Sequence, residues 1–283
     1  MPDRDERCTV STTVGAVRGY ARDDVRRWRS IPYAKPPVGA LRLRAPQPAK
    51  PWRGVRACYE FAHCAPQDPR YTRLGLNRLQ TMSEDCLTLN VVAPADIAPD
   101  AEPLPVMFFI HGGGYLLGSS ATGIYDGAAL ARRGCIYVSA NYRLGALGCI
   151  DLSPLSTEDY PIDSNLFLRD LVLALEWVRD NIAGFGGNPD NVTIFGESAG
   201  AHAVAALLAV PAAAGLFRRA IAESPPSGLF RTAEEAAELA QRFAREVQAD
   251  PRSPGRVLSA ARPSQLVRAV EKMMGEVMRD NPA

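Results

Sequence analysis

The segment around residue 198 constrains the fold of this chain more than any other. Residues 196–200 read Gly-Glu-Ser-Ala-Gly, and they separate the strand-like run 191–195 from an alanine-rich segment of helix-forming composition. The small residues on either side of the serine allow a very sharp turn between strand and helix. Such a turn lifts the Ser198 hydroxyl away from both elements. The pattern therefore predicts an α/β arrangement with an accessible serine where a strand ends.

Unbroken apolar runs alternate with helical segments beyond residue 100. Buried strands alternating with helices indicate a parallel sheet covered on both faces, so we expect an α/β fold with a mostly parallel central sheet and helices on both faces. An antiparallel hairpin is predicted between residues 9 and 20, before a proline-rich extended segment from 32 to 51. The other predicted strands are 87–92, 106–110, 135–139, 191–195 and 219–223, and the predicted helices are 164–182, 201–208, 232–247 and one beginning at Pro263.

Charge and composition exclude several classes of partner. The 283 residues include 32 basic and 31 acidic side chains, a net charge of +1, so no field is expected to attract nucleic acid or an anionic membrane. We interpret the charged cluster 22–27 as a solvated turn. The charged segment 1–7 lacks the apolar core of a secretory signal, and no stretch suits a membrane span, so a cytoplasmic location is expected. The six cysteines lack zinc-ligand spacing, and neither a metal nor an organic cofactor is expected.

A second motif, His-Gly-Gly-Gly at residues 111–114, directly follows the predicted strand 106–110. A serine nucleophile needs a base to take its proton and amide donors to hold the oxyanion that forms on the attacked carbonyl. The N–H groups of Gly113, Gly114 and Ala199 are the predicted donors, and His111 is predicted to position the glycine loop. The structural alternatives are a plain strand-to-loop turn for the glycines and a helix N-cap for Ser198.

No histidine follows residue 202, which leaves the base unassigned. Where this turn carries a catalytic serine, an acid and then a histidine come later in the chain. The only histidines are His63, His111 and His202, and each stays open as a candidate base. We expect the His202 ring, one helical turn after Ser198, to pack against the sheet.

Taken together, these residues resemble the type B carboxylesterase family, α/β-hydrolases that include the cholinesterases. The resemblance covers nearly the whole chain from about residue 14. It implies a carboxylic-ester hydrolase that acts on a small-molecule ester through an acyl-serine on Ser198. It also implies that Glu197 shapes the local field and that Cys64 and Cys86 form a disulfide that closes the 65–85 loop. Its motifs lie at 29–39, 83–90, 141–145, 177–182 and 184–189.

Family members carry the acid and the histidine in the second half of a longer chain. The resemblance thus implies that residues 1–283 form the N-terminal portion of one α/β-hydrolase domain, incomplete on its C-terminal side. The strand 219–223 would then present an uncovered edge, which favours self-association. The alternative to an esterase is an inactive fragment or a non-enzymatic binding protein with a hydrolase fold.

Two departures from the family bear on the substrate. The 65–85 loop has no tryptophan, the residue with which cholinesterases hold a quaternary ammonium, so choline esters are disfavoured. Residues 224–228 read Ser-Pro-Pro-Ser-Gly where the family has a Ser-Gly pair. This segment is predicted to reshape the acyl side of the pocket.

Overall fold

The computed structural model describes residues 8–75, 78–98 and 100–280. Each strand and helix predicted from the sequence is present, within a few residues of its predicted ends. Two short helices and several strands, among them the eight-residue strand at 25–32, were not predicted. The strands are β1 (Thr9–Thr12), β2 (Gly15–Arg18), β3 (Tyr20–Arg22), β4 (Val25–Pro32), β5 (Val55–Ala57), β6 (Arg73–Gly75), β7 (Arg78–Leu79), β8 (Thr88–Pro94), β9 (Leu104–Ile110), β10 (Ile136–Ala140), β11 (Gly187–Glu197) and β12 (Arg219–Glu223). The helices are α1 (Ala128–Ala131), α2 (Leu166–Asn181), α3 (Ala199–Leu207), α4 (Ala233–Glu246), α5 (Pro254–Ala260) and α6 (Pro263–Asp280).

The central sheet has seven strands in the order β12-β11-β9-β10-β8-β4-β3. The first four strands in this order run parallel, while β8, β4 and β3 join them through antiparallel pairings. Since β4 is antiparallel to β8, five of the seven strands point the same way, as expected for a mostly parallel sheet; β8 and β3 are the exceptions. Strand β8 is buried on both faces although its neighbours are antiparallel, so continuous burial does not fix strand direction.

Helices cover both faces of the sheet. One face packs against α2 and α3 in the largest apolar cluster, where the rings of Trp28 and Phe185 meet edge to face with centroids 4.9 Å apart. The other face carries a smaller aromatic cluster around Phe109 and Tyr137, covered by α1. Burial on both faces holds the ends of β9 and β11 in fixed positions.

The charged cluster 22–27 is only partly the solvated turn predicted from the sequence. A turn does lie at Asp23 and Asp24, but β4 begins directly afterwards and pairs with β8. Arg27 is buried in β4, and its guanidinium donates to the Asp126 carboxylate over 2.9 Å. The ion pair lets the strand enter the sheet despite its charge, because a buried charge with a partner avoids most of the desolvation penalty.

Two glycines allow β11 and α3 to touch the end of β9. A Cβ atom on Gly196 would lie 2.6 Å from the Ile110 carbonyl oxygen, and one on Gly200 would lie 2.1 Å from the same atom. Neither distance is compatible with a side chain. The glycines of the 196–200 motif are thus required by close packing of three elements.

Strand β12 lies at the edge of the sheet, and all five of its residues are exposed. Ile221 leaves 45% of its surface in solvent. Among the described residues, none forms a strand beyond β12. In the same part of the chain, no helix has the length and apolar character needed to cross a bilayer.

Replacing Gly200 with alanine should destabilise the fold by about 3 kcal/mol or more, although alanine normally favours a helix. The cause is the clash of the new methyl group with the Ile110 carbonyl. Gly123→Ala is the matched control, because nothing lies within 4 Å of the added carbon there. Urea unfolding of both variants checks the prediction. Equal unfolding midpoints would show that the contact between Gly200 and Ile110 tolerates a side chain.

Candidate active site

Ser198 occupies the turn between β11 and α3 in a strained backbone conformation. Its φ of 57° and ψ of −123° are sparsely populated by residues other than glycine and cost on the order of 1–3 kcal/mol. Hydrogen bonds on both sides hold the turn: the Ser198 N–H donates to the Glu223 carbonyl (3.0 Å), and the Ser198 carbonyl accepts from the His202 N–H (2.9 Å). The side chain is half-buried, and no group in the described part of the chain hydrogen bonds to its hydroxyl.

The glycine loop 112–114 lies directly against this turn. A Cβ atom on Gly112 would be 3.2 Å from the Cβ of Ser198, so a larger residue would push the loop away. Gly113 and Gly114 have φ values of 111° and 61°, in the region that favours glycine. Among the described residues, neither of their N–H groups has an intramolecular acceptor.

The N–H of Ala199 completes this set of donors. Ala199 is the first residue of α3, and the first N–H groups of a helix have no intrahelical partner and lie at the positive end of its dipole. The Ala199 amide and the Gly113 and Gly114 amides of the adjoining loop thus carry no competing hydrogen bond among the described residues. Such an arrangement is suited to stabilising negative charge that develops on an oxygen near Ser198.

His111 is tied to the glycine loop. Its Nδ1 lies 2.8 Å from the Gly112 carbonyl oxygen, and its ring stacks on Tyr142 with centroids 4.5 Å apart. The Tyr142 hydroxyl donates to the His111 carbonyl over 2.7 Å. Burial lowers the pKa of His111 to about 4, so the ring is neutral and its Nδ1–H donates to the loop. These contacts suit a residue that positions the loop.

In the described residues, the imidazoles of the other two histidines do not hydrogen bond to the Ser198 hydroxyl. His63 is bound through Nδ1 to the Thr81 hydroxyl at 2.8 Å, in the exposed early loop. The expectation that His202 packs against the sheet is wrong. Its Nδ1 lies 2.7 Å from the Tyr115 hydroxyl, because the first turn of α3 faces the segment that follows the glycine loop. No imidazole in the described residues is therefore placed as a base for Ser198.

Glu197 is exposed at the last position of β11. Burial, and then the nearby Glu197 charge, raise the pKa of Tyr125. The Glu197 carboxylate therefore acts electrostatically on Tyr125, while its influence on Ser198 stays a prediction.

Cys64 and Cys86 are both free thiols in this structure, so the disulfide implied by the resemblance is not formed here. Both are fully buried, and burial raises the pKa of the Cys64 thiol to about 11 and that of Cys86 further. Thiols with such pKa values stay protonated at neutral pH, which makes them slow nucleophiles. No cluster of metal-ligating side chains occurs among the residues that the structure describes.

Comparison with known proteins identifies the family of this site. The sequence profile of the carboxylesterase family matches residues 6–281. The chain belongs to the carboxylesterase family. It is 46% identical over 235 residues to the para-nitrobenzyl esterase of Bacillus subtilis, and 42% identical over 222 residues to the fumonisin B1 esterase of Sphingopyxis macrogoltabida. These alignments cover 83% and 78% of this chain.

Solved structures of carboxylesterases show the same fold. A structure of para-nitrobenzyl esterase superimposes with a TM-score of 0.87 at 40% identity and covers 95% of this chain. A Geobacillus stearothermophilus carboxylesterase gives a TM-score of 0.84 and covers 94%. The α/β-hydrolase fold and the family predicted from the sequence are confirmed. The chain spans about half the length of the relatives it matches: 47% of the Bacillus enzyme, and 54% and 53% of the two structures.

Sequence reasoning missed the contact between Tyr115 and His202. A tyrosine directly after the glycine triplet and a histidine four positions after Ser198 are both visible in the sequence. Tyr115 and His202 are 87 positions apart in the sequence. Periodicity within one element carries no information about such a pairing.

Removing the His111 imidazole should flatten the dependence of stability on pH. The folded-state pKa of about 4 lies below the ordinary value of 6.5, so the unfolded chain binds the proton more readily. The stability that the folded chain gains from a neutral His111 is complete above pH 6.5, and it is lost as the pH falls toward the folded-state pKa. Between pH 7 and pH 5 the loss should be about 2 kcal/mol.

His111→Asn is the variant of choice, since its amide can still donate to the Gly112 carbonyl without titrating. The free energy of unfolding of both proteins is measured from pH 5 to 7.5. Between pH 7 and pH 5 it should fall more in the parent than in the variant, because only the parent has the titrating imidazole at position 111. Parallel curves would show that His111 is not held neutral.

Proposed function

We propose that this chain carries the nucleophile and oxyanion-binding parts of a carboxylic-ester hydrolase, within a single α/β-hydrolase domain. The observation that carries the proposal is the strained Ser198 turn against the glycine loop, with amides of Gly113, Gly114 and Ala199 that have no acceptor among the described residues. Backbone strain of this kind persists only where surrounding contacts hold it, and it concentrates at functional sites. A helix N-cap would need neither the strain nor the neighbouring loop.

In the proposed reaction, the Ser198 Oγ attacks the carbonyl carbon of the ester. The new C–O bond forms while the carbonyl π electrons move to oxygen, and the resulting oxyanion accepts hydrogen bonds from the three amides. Each such donor contributes roughly 3 kcal/mol of transition-state stabilisation. The electrons then return, the bond to the alcohol oxygen breaks, and that oxygen takes up a proton.

The acyl-serine left on Ser198 is hydrolysed by water, which releases the carboxylic acid and restores the hydroxyl. No described imidazole hydrogen bonds to the Ser198 hydroxyl, so in this chain we assign its proton to solvent water. Amide stabilisation and binding alone can still exceed the uncatalysed rate by roughly 10³-fold. Slow acylation and slow turnover are therefore expected.

The substrate class is a small carboxylic ester. The names of the relatives, para-nitrobenzyl esterase and fumonisin B1 esterase, both describe ester hydrolysis. A loop 65–85 without tryptophan argues against choline esters. The cytoplasmic location expected from the charged N-terminal segment stays a prediction, which cell fractionation tests.

A second proposal concerns the exposed β12 edge. An unpaired edge strand presents free N–H and C=O groups to another chain, and Ile221 adds apolar surface at its centre. We propose that copies of this chain associate through β12. The bulky residues Leu208, Leu229 and Phe230, also exposed, lie in the segments that flank it in the sequence.

The reactivity of Ser198 can be tested with a fluorophosphonate probe and a p-nitrophenyl ester. Ser198→Gly removes the hydroxyl and keeps the backbone conformation, because glycine tolerates φ near 57°. Ser264→Gly, at an exposed serine on α6, is the matched control. We expect labelling and ester hydrolysis in the parent and the control, and a loss of more than tenfold in Ser198→Gly. An unlabelled parent would favour the inactive or binding alternative.

Association through β12 should be weakened by a charge at its centre. Ile221→Lys should shift light-scattering masses toward the monomer at high protein concentration, because like charges would meet across the edge. Ile124→Lys is the control, since Ile124 is 83% exposed and distant in sequence from β12. A parent that is monomeric at all concentrations would refute the proposal.

A further inference from the structure

Tyr115 is a strained residue at the end of the glycine loop. It directly follows Gly114, and its φ of 63° is a left-handed value that a bulky aromatic residue rarely adopts. Its backbone conformation sets the direction in which the chain leaves the two proposed oxyanion donors. Whatever holds Tyr115 therefore also fixes the N–H groups of Gly113 and Gly114.

Three contacts hold the buried Tyr115 residue in place. Its carbonyl accepts from the Gly145 N–H over 2.8 Å, and its ring packs on Phe167 with centroids 4.8 Å apart. Its hydroxyl lies 2.7 Å from Nδ1 of His202. The last contact is different in kind, because it links the loop to the helix that begins at the serine turn.

His202 also contacts Ser198, so it links the serine turn to Tyr115. Its backbone N–H donates to the Ser198 carbonyl over 2.9 Å, and its ring meets Tyr115 edge to face, with an interplanar angle of 78°. The Phe230 ring lies against the imidazole at a centroid distance of 4.6 Å. One side chain thus spans from the first turn of α3 to the glycine loop.

The other nitrogen of this imidazole is a buried polar atom without a partner. His202 is 5% exposed, and within the described residues Nε2 makes no hydrogen bond. An unpaired polar atom in a buried position is unfavourable, and an apolar side chain of similar size would avoid it. The bond from Nδ1 to Tyr115 is the contact that accounts for an imidazole at this position.

We propose that Tyr115 and His202 are positioning residues, whose hydrogen bond fixes the glycine loop relative to α3. Through it, the amides of Gly113 and Gly114 keep their spacing from the amide of Ala199 and the hydroxyl of Ser198. This inference deepens the proposed function and rests on it for its catalytic consequence. Its structural consequence, an ordered loop, is independent of any reaction.

The test uses variants that alter this one bond. Tyr115→Phe removes only the hydroxyl, and His202→Leu removes the imidazole acceptor. His202→Asn should restore the contact, because its amide occupies the region of Nδ1. The matched control is Tyr137→Phe, which removes another buried tyrosine hydrogen bond, that from Tyr137 to the Tyr125 carbonyl (2.8 Å), in the aromatic cluster that α1 covers.

Two measurements separate positioning from general stability. Saturation kinetics of fluorophosphonate labelling should show the maximal rate falling roughly tenfold in Tyr115→Phe and His202→Leu, with the half-saturating probe concentration nearly unchanged. The double variant should be no slower than either single one, because both remove the same bond. His202→Asn should recover most of the rate, and Tyr137→Phe should keep it.

Hydrogen exchange gives a readout that does not depend on reactivity. Amides in residues 112–118 should exchange faster in Tyr115→Phe and His202→Leu, but not in Tyr137→Phe. Unchanged exchange in this loop would overturn the inference, whether or not Ser198 reacts. If exchange is faster in the two variants but the probe does not label the parent protein, the positioning role is supported. That result would count only against the proposed hydrolase function.

Discussion

The carbonyl of Ile110 is the point on which the site depends. Strand β9 ends there, and β11 and α3 approach it so closely that Gly196 and Gly200 have no room for a Cβ atom. The chain reverses between these two glycines, which forces Ser198 into its strained conformation. The glycine loop starts two residues beyond Ile110. One packing contact therefore sets the position of the Ser198 turn relative to the glycine loop.

A buried ion pair extends this arrangement away from the sheet. The Arg143 guanidinium donates through Nε and Nη2 to the Asp170 carboxylate over 2.8 and 2.6 Å, and the Arg143 N–H donates to the same carboxylate. A buried ion pair stabilises a fold little more than apolar residues of similar size would, but removing one partner is strongly destabilising. The clearest effect of this pair is therefore to fix the geometry of the residues that carry it. It fixes residues 143–145 on α2, and the Gly145 N–H in turn holds the Tyr115 carbonyl. The loop geometry is thus anchored to a helix as well as to a strand.

Local features of the fold were predictable because they depend on neighbours in the sequence. The strand β11, the turn at Ser198 and the helix α3 follow from apolar residues, two glycines and alanines within about twenty positions. The direction of β8 was not predictable, since burial on both faces occurs in parallel and antiparallel strands alike. Arg27 gave a misleading signal for a similar reason: its partner Asp126 lies 99 positions away and is invisible to a local reading.

The site separates into a part fixed by the backbone and a part that depends on proton transfer. Amide donors of Gly113, Gly114 and Ala199 need only the fold, because no side chain supplies them. Proton transfer needs an imidazole at the hydroxyl, and the His111 ring is instead neutral, bound to its own loop and stacked on Tyr142. A ring with a pKa of about 4 that already donates its Nδ1–H serves as structure rather than as a base near neutral pH. The backbone part of the proposed site is accordingly built independently of the group that would accept the serine proton.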